Sequence, residues 1–190
     1  MKRKIIVAIV TFTAFSILLS KSSIGYSCEV EDRTPAQSLK TIRNDQSGLV
    51  FEVASNYRAV VNNIKNGGVW KEIYIMESTA YCYLQSPEPV ESSEALLGAN
   101  YVLIELFTGD IEAFLKNLGQ EPYRETLING SKALVGNNVV AINRPDGQDW
   151  AIIHDTTSSH QDYAENKAQF SRNNQILLQQ ITNSLRWKVP

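Results

Sequence analysis

The chain has 190 residues, of which 43% are hydrophobic, 20% charged and 9% aromatic, and this composition excludes disordered and collagen-like proteins. Residues 1–27 carry four of the 18 basic residues and none of the 20 acidic ones, so the chain without them has a formal charge of −6. The chain beyond residue 27 has no run of Lys or Arg that could follow a phosphate backbone, and this argues against nucleic-acid binding.

The N-terminus has the pattern of an export signal. Basic residues at positions 2–4 precede an apolar run over residues 5–19, and small residues follow before position 28. A helix over that run spans about 22 Å, short of the roughly 30 Å hydrocarbon core of a membrane. We expect residues 1–27 to be a cleaved signal peptide and the protein to reach the periplasm, a thylakoid lumen or the extracellular space. An uncleaved anchor is the alternative.

Two cysteines, Cys28 and Cys82, remain after the signal. In an oxidising compartment two thiols can pair, and we expect a Cys28–Cys82 disulfide. Two alternatives stay open. Cys28 could be acylated as in a bacterial lipoprotein, which is the one route by which we expect membrane association. Cys82, in a strand-like segment, could simply be a small buried apolar residue.

The rest of the chain is predicted to contain one domain, over residues 48–190, behind a polar lead-in at 28–47. A short helix over residues 36–43 is predicted within this lead-in. Three strands follow, at 49–53, 57–61 and 69–76, because β-branched and aromatic residues are bounded there by glycines. In the third strand, apolar and polar residues alternate except at Lys71.

The middle of the chain alternates between a polar loop, a strand and a helix. Residues 85–99 are rich in Glu, Ser and Pro, so we expect a loop that is the best candidate for functional surface. The apolar run at 101–107 suits a central strand. Apolar residues at helical spacing predict a helix over 111–118, which Gly119 ends.

Two hairpins and a long helix complete the predicted domain. Asn129–Gly130 is typical of a tight turn between strands at 123–128 and 131–135. The sequence at 145–147 is expected to turn the chain between two more strands, at 139–142 and 150–154. A long C-terminal helix is predicted over 161–185. The whole plan is an α+β fold with an antiparallel sheet flanked by helices.

Four segments resemble signatures of the PsbP/Mog1-like fold family. They are Gly48–Val53 followed by Asn56–Arg58, the strand Tyr101–Phe107 before a helix, the hairpin Ile128–Ala133 and the ending Ile181–Trp187. The resemblance implies an α/β/α sandwich that serves as a binding or assembly module, as in lumenal accessory proteins of photosystems and bacterial envelope proteins. It implies no active site.

The sharpest cluster of chemically active residue types surrounds the only two histidines. His154, Asp155, His160 and Asp162 offer four metal ligands within nine residues, although their side chains must converge to hold an ion. The alternative is a strand-to-helix junction in which polar side chains cap the helix.

The sequence contains no recognisable motif that places a nucleophilic side chain beside a base. We therefore expect that the protein is not an enzyme and that it has no catalytic residue and no cofactor. The leading hypothesis is an exported, monomeric, non-enzymatic protein that binds a protein partner, as an assembly or accessory factor of an envelope or thylakoid membrane complex. Aromatic residues at Trp70, Tyr74, Tyr81 and Tyr83 are candidates for that surface, with core packing as the alternative. The alternative function is a periplasmic metal- or small-ligand-binding protein that uses His154, His160 and Asp162.

Overall fold

The structure, a computed structural model, describes residues 34–85, 101–120, 122–156 and 167–188. The expected signal peptide, Cys28 and nearly all of the 85–99 loop lie outside these residues. Ten strands and three helices are described. They are β1 Leu39–Asn44, β2 Leu49–Ala54, β3 Tyr57–Asn66, β4 Val69–Glu77, α1 Ser78–Gln85, β5 Tyr101–Thr108, α2 Ile111–Asn117, β6 Arg124–Ile128, β7 Ser131–Val135, β8 Val139–Asn143, β9 Asp149–Asp155, α3 Lys167–Ser184 and β10 Arg186–Trp187.

The described strands form two antiparallel sheets. A large sheet of seven strands has the order β3-β4-β5-β9-β8-β7-β6, and a small sheet of three strands has the order β1-β2-β10. Strand β5 therefore lies inside the large sheet, as its apolar sequence predicts. The expected α+β fold with an antiparallel sheet and a C-terminal helix is confirmed.

One face of the large sheet is buried except toward its edge strands, and the other face is buried only in part. On the face that we call the inner face, Ile73, Ile104 and Ile153 pack against β2 and against Leu177 and Ile181 of α3. The other face is the outer face, and part of it is covered by apolar side chains of α2, Ile111 and Leu115. Full burial of one such side chain contributes about 1.5–3 kcal/mol.

Several local predictions are confirmed. Asn129 and Gly130 both have positive φ, 51° and 79°, as the turn between β6 and β7 requires. Gly147 turns the chain between β8 and β9 with a φ of 79°. Helix α2 begins after Asp110, whose side chain accepts from the backbone N–H groups of Glu112 and Ala113.

The predicted short helix at 36–43 is wrong, because Leu39–Asn44 is strand β1. Its residues pair with β2 along the whole length, from Leu39 opposite Ala54 to Asn44 opposite Leu49. Pairing with this buried strand satisfies the backbone better than an isolated helical turn, which no local pattern reveals.

The strand-like interpretation of the segment around Cys82 is also wrong. Strand β4 ends at Glu77, and Ser78–Gln85 is helix α1, in which Cys82 is half-buried. The backbone N–H and the hydroxyl of Ser78 both donate to the carbonyl oxygen of Asn56, at 3.2 and 2.7 Å, which ends the strand and starts the helix. Tertiary contacts thus override the strand preference of the tyrosines.

Strand β4 departs from the predicted alternation at a different residue. Lys71 lies on the inner face with Ile73 and is 1% exposed, whereas Val69 packs with Phe107 on the outer face, in the apolar group that α2 covers. The pairing of β4 with β5 shifts register between Val69 and Lys71. The irregularity therefore belongs to Val69, because the shift rotates it to the other face.

The C-terminal helix is described over Lys167–Ser184, within the predicted 161–185, and residues 161–166 lie outside the described part. Beyond it, Arg186 and Trp187 form β10 and pair with β2, which the sequence does not reveal. Within the described ranges, no helix is both long and apolar enough to span a membrane.

Candidate functional site

Five polar and aromatic side chains meet on the outer face of the large sheet, where β4, β5 and β9 run side by side. They are Glu72, Tyr74, Tyr101, Glu105 and His154, and we call them the outer-face cluster. The strand register brings them together: Glu72 lies opposite Glu105, Tyr101 opposite Met76, and His154 opposite Leu103. Side chains two apart on a strand share a face, so residues from three strands converge.

His154 and Glu105 form one half of the cluster. The His154 Nε2 atom lies 2.5 Å from the Glu105 Oε2 atom, and the two side chains are 15% and 14% exposed. The ring is not aligned for a hydrogen bond from Nε2 to a protein acceptor. The contact is therefore an ion pair when the imidazole is protonated. It joins a side chain of β9 to a side chain of β5.

Glu72 and the two tyrosines form the other half of the cluster. The Tyr74 hydroxyl donates to Glu72 Oε2 at 2.6 Å, and the Tyr74 ring meets the Tyr101 ring edge to face at 5.4 Å. Burial, then the hydrogen bond to Glu72 and nearby negative charge, raise the pKa of Tyr74 far above its ordinary value. Burial and the Glu72 charge raise the pKa of Tyr101 as well. Both hydroxyls stay protonated at neutral pH.

The cluster places two carboxylates at directly opposed positions. Like charges facing each other across a strand pair destabilise a sheet. Each carboxylate uses its Oε2 atom in the contacts above, with Tyr74 and with His154. The arrangement is thus suited to accept hydrogen bonds from a cationic group, such as a lysine or arginine side chain, that offsets the second negative charge.

The structure separates the two predicted metal ligands that it describes. His154 points to the outer face, whereas the side chain of its neighbour Asp155 accepts from Asn174 Nδ2 of α3, at 2.7 Å, on the inner side. Adjacent residues on a strand point to opposite faces, so spacing in sequence does not bring them together. His160 and Asp162 lie outside the described residues. In the described ranges, no three His, Cys, Asp or Glu side chains are grouped to hold a metal ion.

The predicted aromatic surface is divided in the same way. Tyr74 and Tyr81 pack, with Tyr101, against the same buried residues Met76 and Ala80, whereas Trp70 packs against the inner-face core. The Tyr83 side chain lies outside the described part. Tyr101, Glu105 and Glu72 are not predicted as site residues from the sequence, and the run 101–107, which holds the first two, has the composition of a buried strand. Its single charged residue, Glu105, is the signal that could have revealed the site.

No protein-family model, curated protein or solved structure matches this chain. Its function is therefore inferred from the geometry of the outer-face cluster.

Proposed function

We propose that this chain is an exported, non-enzymatic binding protein whose outer-face cluster docks a partner protein through a basic side chain of that partner. The observation that carries the proposal is the opposed pair Glu72 and Glu105, which places two carboxylates on one sheet face. A lysine or arginine inserted between them would offset their repulsion and gain charge-assisted hydrogen bonds.

The aromatic half of the cluster supports the same proposal. Tyrosine is enriched where protein surfaces meet, because it combines apolar area with a hydroxyl donor. Tyr74 and Tyr101 are half-buried, and the Tyr74 hydroxyl already donates to Glu72, so the two rings offer a partner chiefly their apolar area. The negative formal charge of the chain beyond residue 27 favours encounters with a basic partner surface.

At a finer level, we propose the PsbP/Mog1-like fold, an α/β/α sandwich. The order of elements supports it: Gly48–Val53 enters and forms most of β2, Tyr101–Phe107 lies in strand β5 of the large sheet, and the last described elements are α3 and β10. By analogy with that family, the partner is a component of an envelope or thylakoid membrane complex that this protein assists as an accessory or assembly factor, itself a monomer.

The test is capture of the partner from the native host. The chain, with its own N-terminus and a C-terminal tag, is expressed, the envelope is gently solubilised, and retained proteins are identified. We expect a stoichiometric partner with the wild type, and its loss with Glu72→Gln plus Glu105→Gln. Glu125→Gln is the matched control, because Glu125 is an exposed acid on the edge strand β6. Equal retention of the partner by the wild type, the double variant and the control variant would overturn the proposal. Recovery of the wild-type chain without any partner would overturn it as well.

A second candidate function keeps His154 as a ligand of a metal ion or small molecule. The contact between His154 and Glu105 favours it, since imidazole and carboxylate both ligate divalent metals. Isothermal titration with zinc, copper and manganese tests this candidate. If this candidate is correct, a micromolar concentration of metal produces a heat of binding that His154→Ala abolishes. Injection heats equal to those of metal injected into buffer alone would exclude the candidate.

A further inference from the structure

Asn129 occupies the turn between β6 and β7 and reaches the end of the C-terminal helix. Its Nδ2 atom donates to the carbonyl oxygen of Leu185 at 2.8 Å, and lies 3.2 and 3.5 Å from those of Asn183 and Thr182. The last carbonyls of a helix have no partner within the helix. Asn129 therefore caps α3 from a hairpin more than fifty residues earlier in the chain.

The backbone conformation of this turn also restricts which residue types can occupy it. Among the described residues, Asn129 is the only non-glycine residue with positive φ, and Gly130 follows it, also with positive φ. Asparagine tolerates this conformation and glycine has no Cβ to oppose it. The same pair is chemically labile, because an unhindered glycine N–H can reach the side-chain carbonyl of the preceding asparagine.

We propose that Asn129 is a site of spontaneous deamidation whose rate is set by the docking of the C-terminal helix. The backbone nitrogen of Gly130 attacks the side-chain carbonyl carbon of Asn129 and forms a succinimide, and ammonia leaves with the former Nδ2. Water then opens the ring to aspartate or isoaspartate. The net change replaces –NH2 by –OH. While Nδ2 is held by the carbonyls of α3, the side chain is kept from this attack.

The product cannot restore the cap. An ionised carboxylate has no N–H to donate, and it would face three carbonyl oxygens with its own lone pairs. It would also place a negative charge at the negative end of the helix dipole. Deamidation at Asn129 is thus expected to release the end of α3, together with Arg186 and Trp187, which pair with β2.

The cap has a second consequence for residues 129–131, which form an Asn-Gly-Ser sequon. Glycan attachment would use the same Nδ2 atom. A glycan leaves one N–H on that nitrogen in place of two, and so removes one of the two donors that contact the carbonyls of α3.

The chain contains an internal control, Asn66–Gly67, where β3 ends and the turn to β4 begins. Both residues are exposed, and the Asn66 side chain makes no hydrogen bond to any described residue. Trypsin releases Asn66 and Asn129 in separate peptides, after Lys65 and after Arg124. The full chain is incubated at neutral pH, folded or in urea, and deamidation in each peptide is followed by mass spectrometry.

In the folded protein we expect Asn129 to deamidate about tenfold more slowly than Asn66, the factor that corresponds to about 1.4 kcal/mol of protection. In urea the two rates should converge. Equal rates in the folded protein, or a difference that persists in urea, would overturn the proposal.

Two variants separate the cap from the turn itself. Leu185→Ala loosens the residue that directly follows α3, and Leu177→Ala removes a similarly buried leucine from the helix itself. Leu185→Ala should accelerate deamidation of Asn129 several-fold more than Leu177→Ala does, because it frees the capped carbonyls. An equal effect would mean that the backbone of the turn alone protects Asn129, and would contradict the proposal.

Discussion

At the scale of single residues, Lys71 is notable because a side chain that ends in an amino group is only 1% exposed. Its Nζ atom donates to amide oxygens of the turn between β1 and β2, to Gln46 Oε1 at 2.6 Å and to Asn44 Oδ1 at 3.3 Å. Burial lowers the pKa of Lys71. The ammonium group therefore ties the small sheet to the large one and is itself destabilised by desolvation.

Replacing Lys71 tests both effects. Lys71→Ala removes three buried methylenes and the donor, so the free energy of unfolding should fall by at least about 2 kcal/mol. Lys71→Met keeps most of the stem and removes the desolvated charge, so its loss should be clearly smaller. Urea unfolding measures both. Equal losses would show that the ammonium group, rather than the stem, provides most of the stabilisation.

Tyr74 makes stability depend on alkaline pH. Its pKa in the folded chain lies above the ordinary value of 10.0, because of burial and the hydrogen bond to Glu72. Above pH 10 the unfolded chain has lost a proton that the folded chain still holds, so stability must fall as the pH rises. We expect a shallower fall for Tyr74→Phe when urea midpoints are measured at several pH values from neutral upwards. A fall with the same slope in both proteins would argue against a buried phenol at this position.

At the scale of elements, the hairpin β3–β4 depends on two adjacent glycines with different surroundings. Both have positive φ, 56° at Gly67 and 91° at Gly68. A Cβ at Gly68 would lie 2.6 Å from Phe107 Cε2 and 2.7 Å from the carbonyl oxygen of Thr108, whereas a Cβ at Gly67 would meet nothing within 4 Å.

The two alanine variants therefore form a matched pair. Gly67→Ala should cost only the backbone strain of a left-handed residue, about 1–2 kcal/mol. Gly68→Ala adds a clash with a backbone oxygen and a buried ring, and should cost about 2–5 kcal/mol in all. Thermal or urea unfolding gives both values. A Gly68→Ala protein as stable as Gly67→Ala would mean that β4 and β5 approach each other less closely.

Helix α1 and the start of the described chain are joined by Asn56, which makes the proposed Cys28–Cys82 disulfide feasible. Asn56 Nδ2 donates to the carbonyl oxygen of Thr34 at 2.9 Å, and the Asn56 carbonyl accepts from Ser78, the first residue of α1. Cys82 follows Ser78 by about one helical turn, and the six residues from position 28 to Thr34 can span about 20 Å.

The disulfide is tested by single and double replacement. Closing a loop of this length is worth about 4 kcal/mol by chain entropy, and 2–4 kcal/mol is typical of measured values. Cys28→Ser and Cys82→Ser should each lower stability by this amount, the double variant should lose no more, and the oxidised wild type should contain no free thiol. Additive losses, or thiols that react in the folded wild type, would rule the pairing out.

At the scale of the whole molecule, the sequence predicts most of the large sheet. Glycine and Asn-Gly turns locate its hairpins, and the run at 101–107 identifies an interior strand. Strands β1 and β10 are not predictable in this way, because β1 has no strong apolar face of its own and β10 has two residues. Both exist through pairing with β2, which is a long-range contact.

The candidate site shows the same limit. His154 and Tyr74 are visible in the sequence as candidates, whereas their partners Glu105 and Glu72 are not. The cluster depends on the register of β4, β5 and β9, and Glu105 and His154 are far apart in the chain. Register across such separations is set by packing of the whole sheet rather than by local pattern.

The central claim, that a partner docks on the outer face, is tested most directly by photo-crosslinking in the native host. Asn62 and Val61 are adjacent, exposed residues of the edge strand β3; Asn62 lies opposite Glu72, on the face of the cluster, and Val61 opposite Ile73, on the other face. A photoreactive amino acid replaces each in turn. We expect a crosslinked partner from position 62 and none from position 61. Crosslinks from position 61 alone, or equally from both, would contradict the central claim.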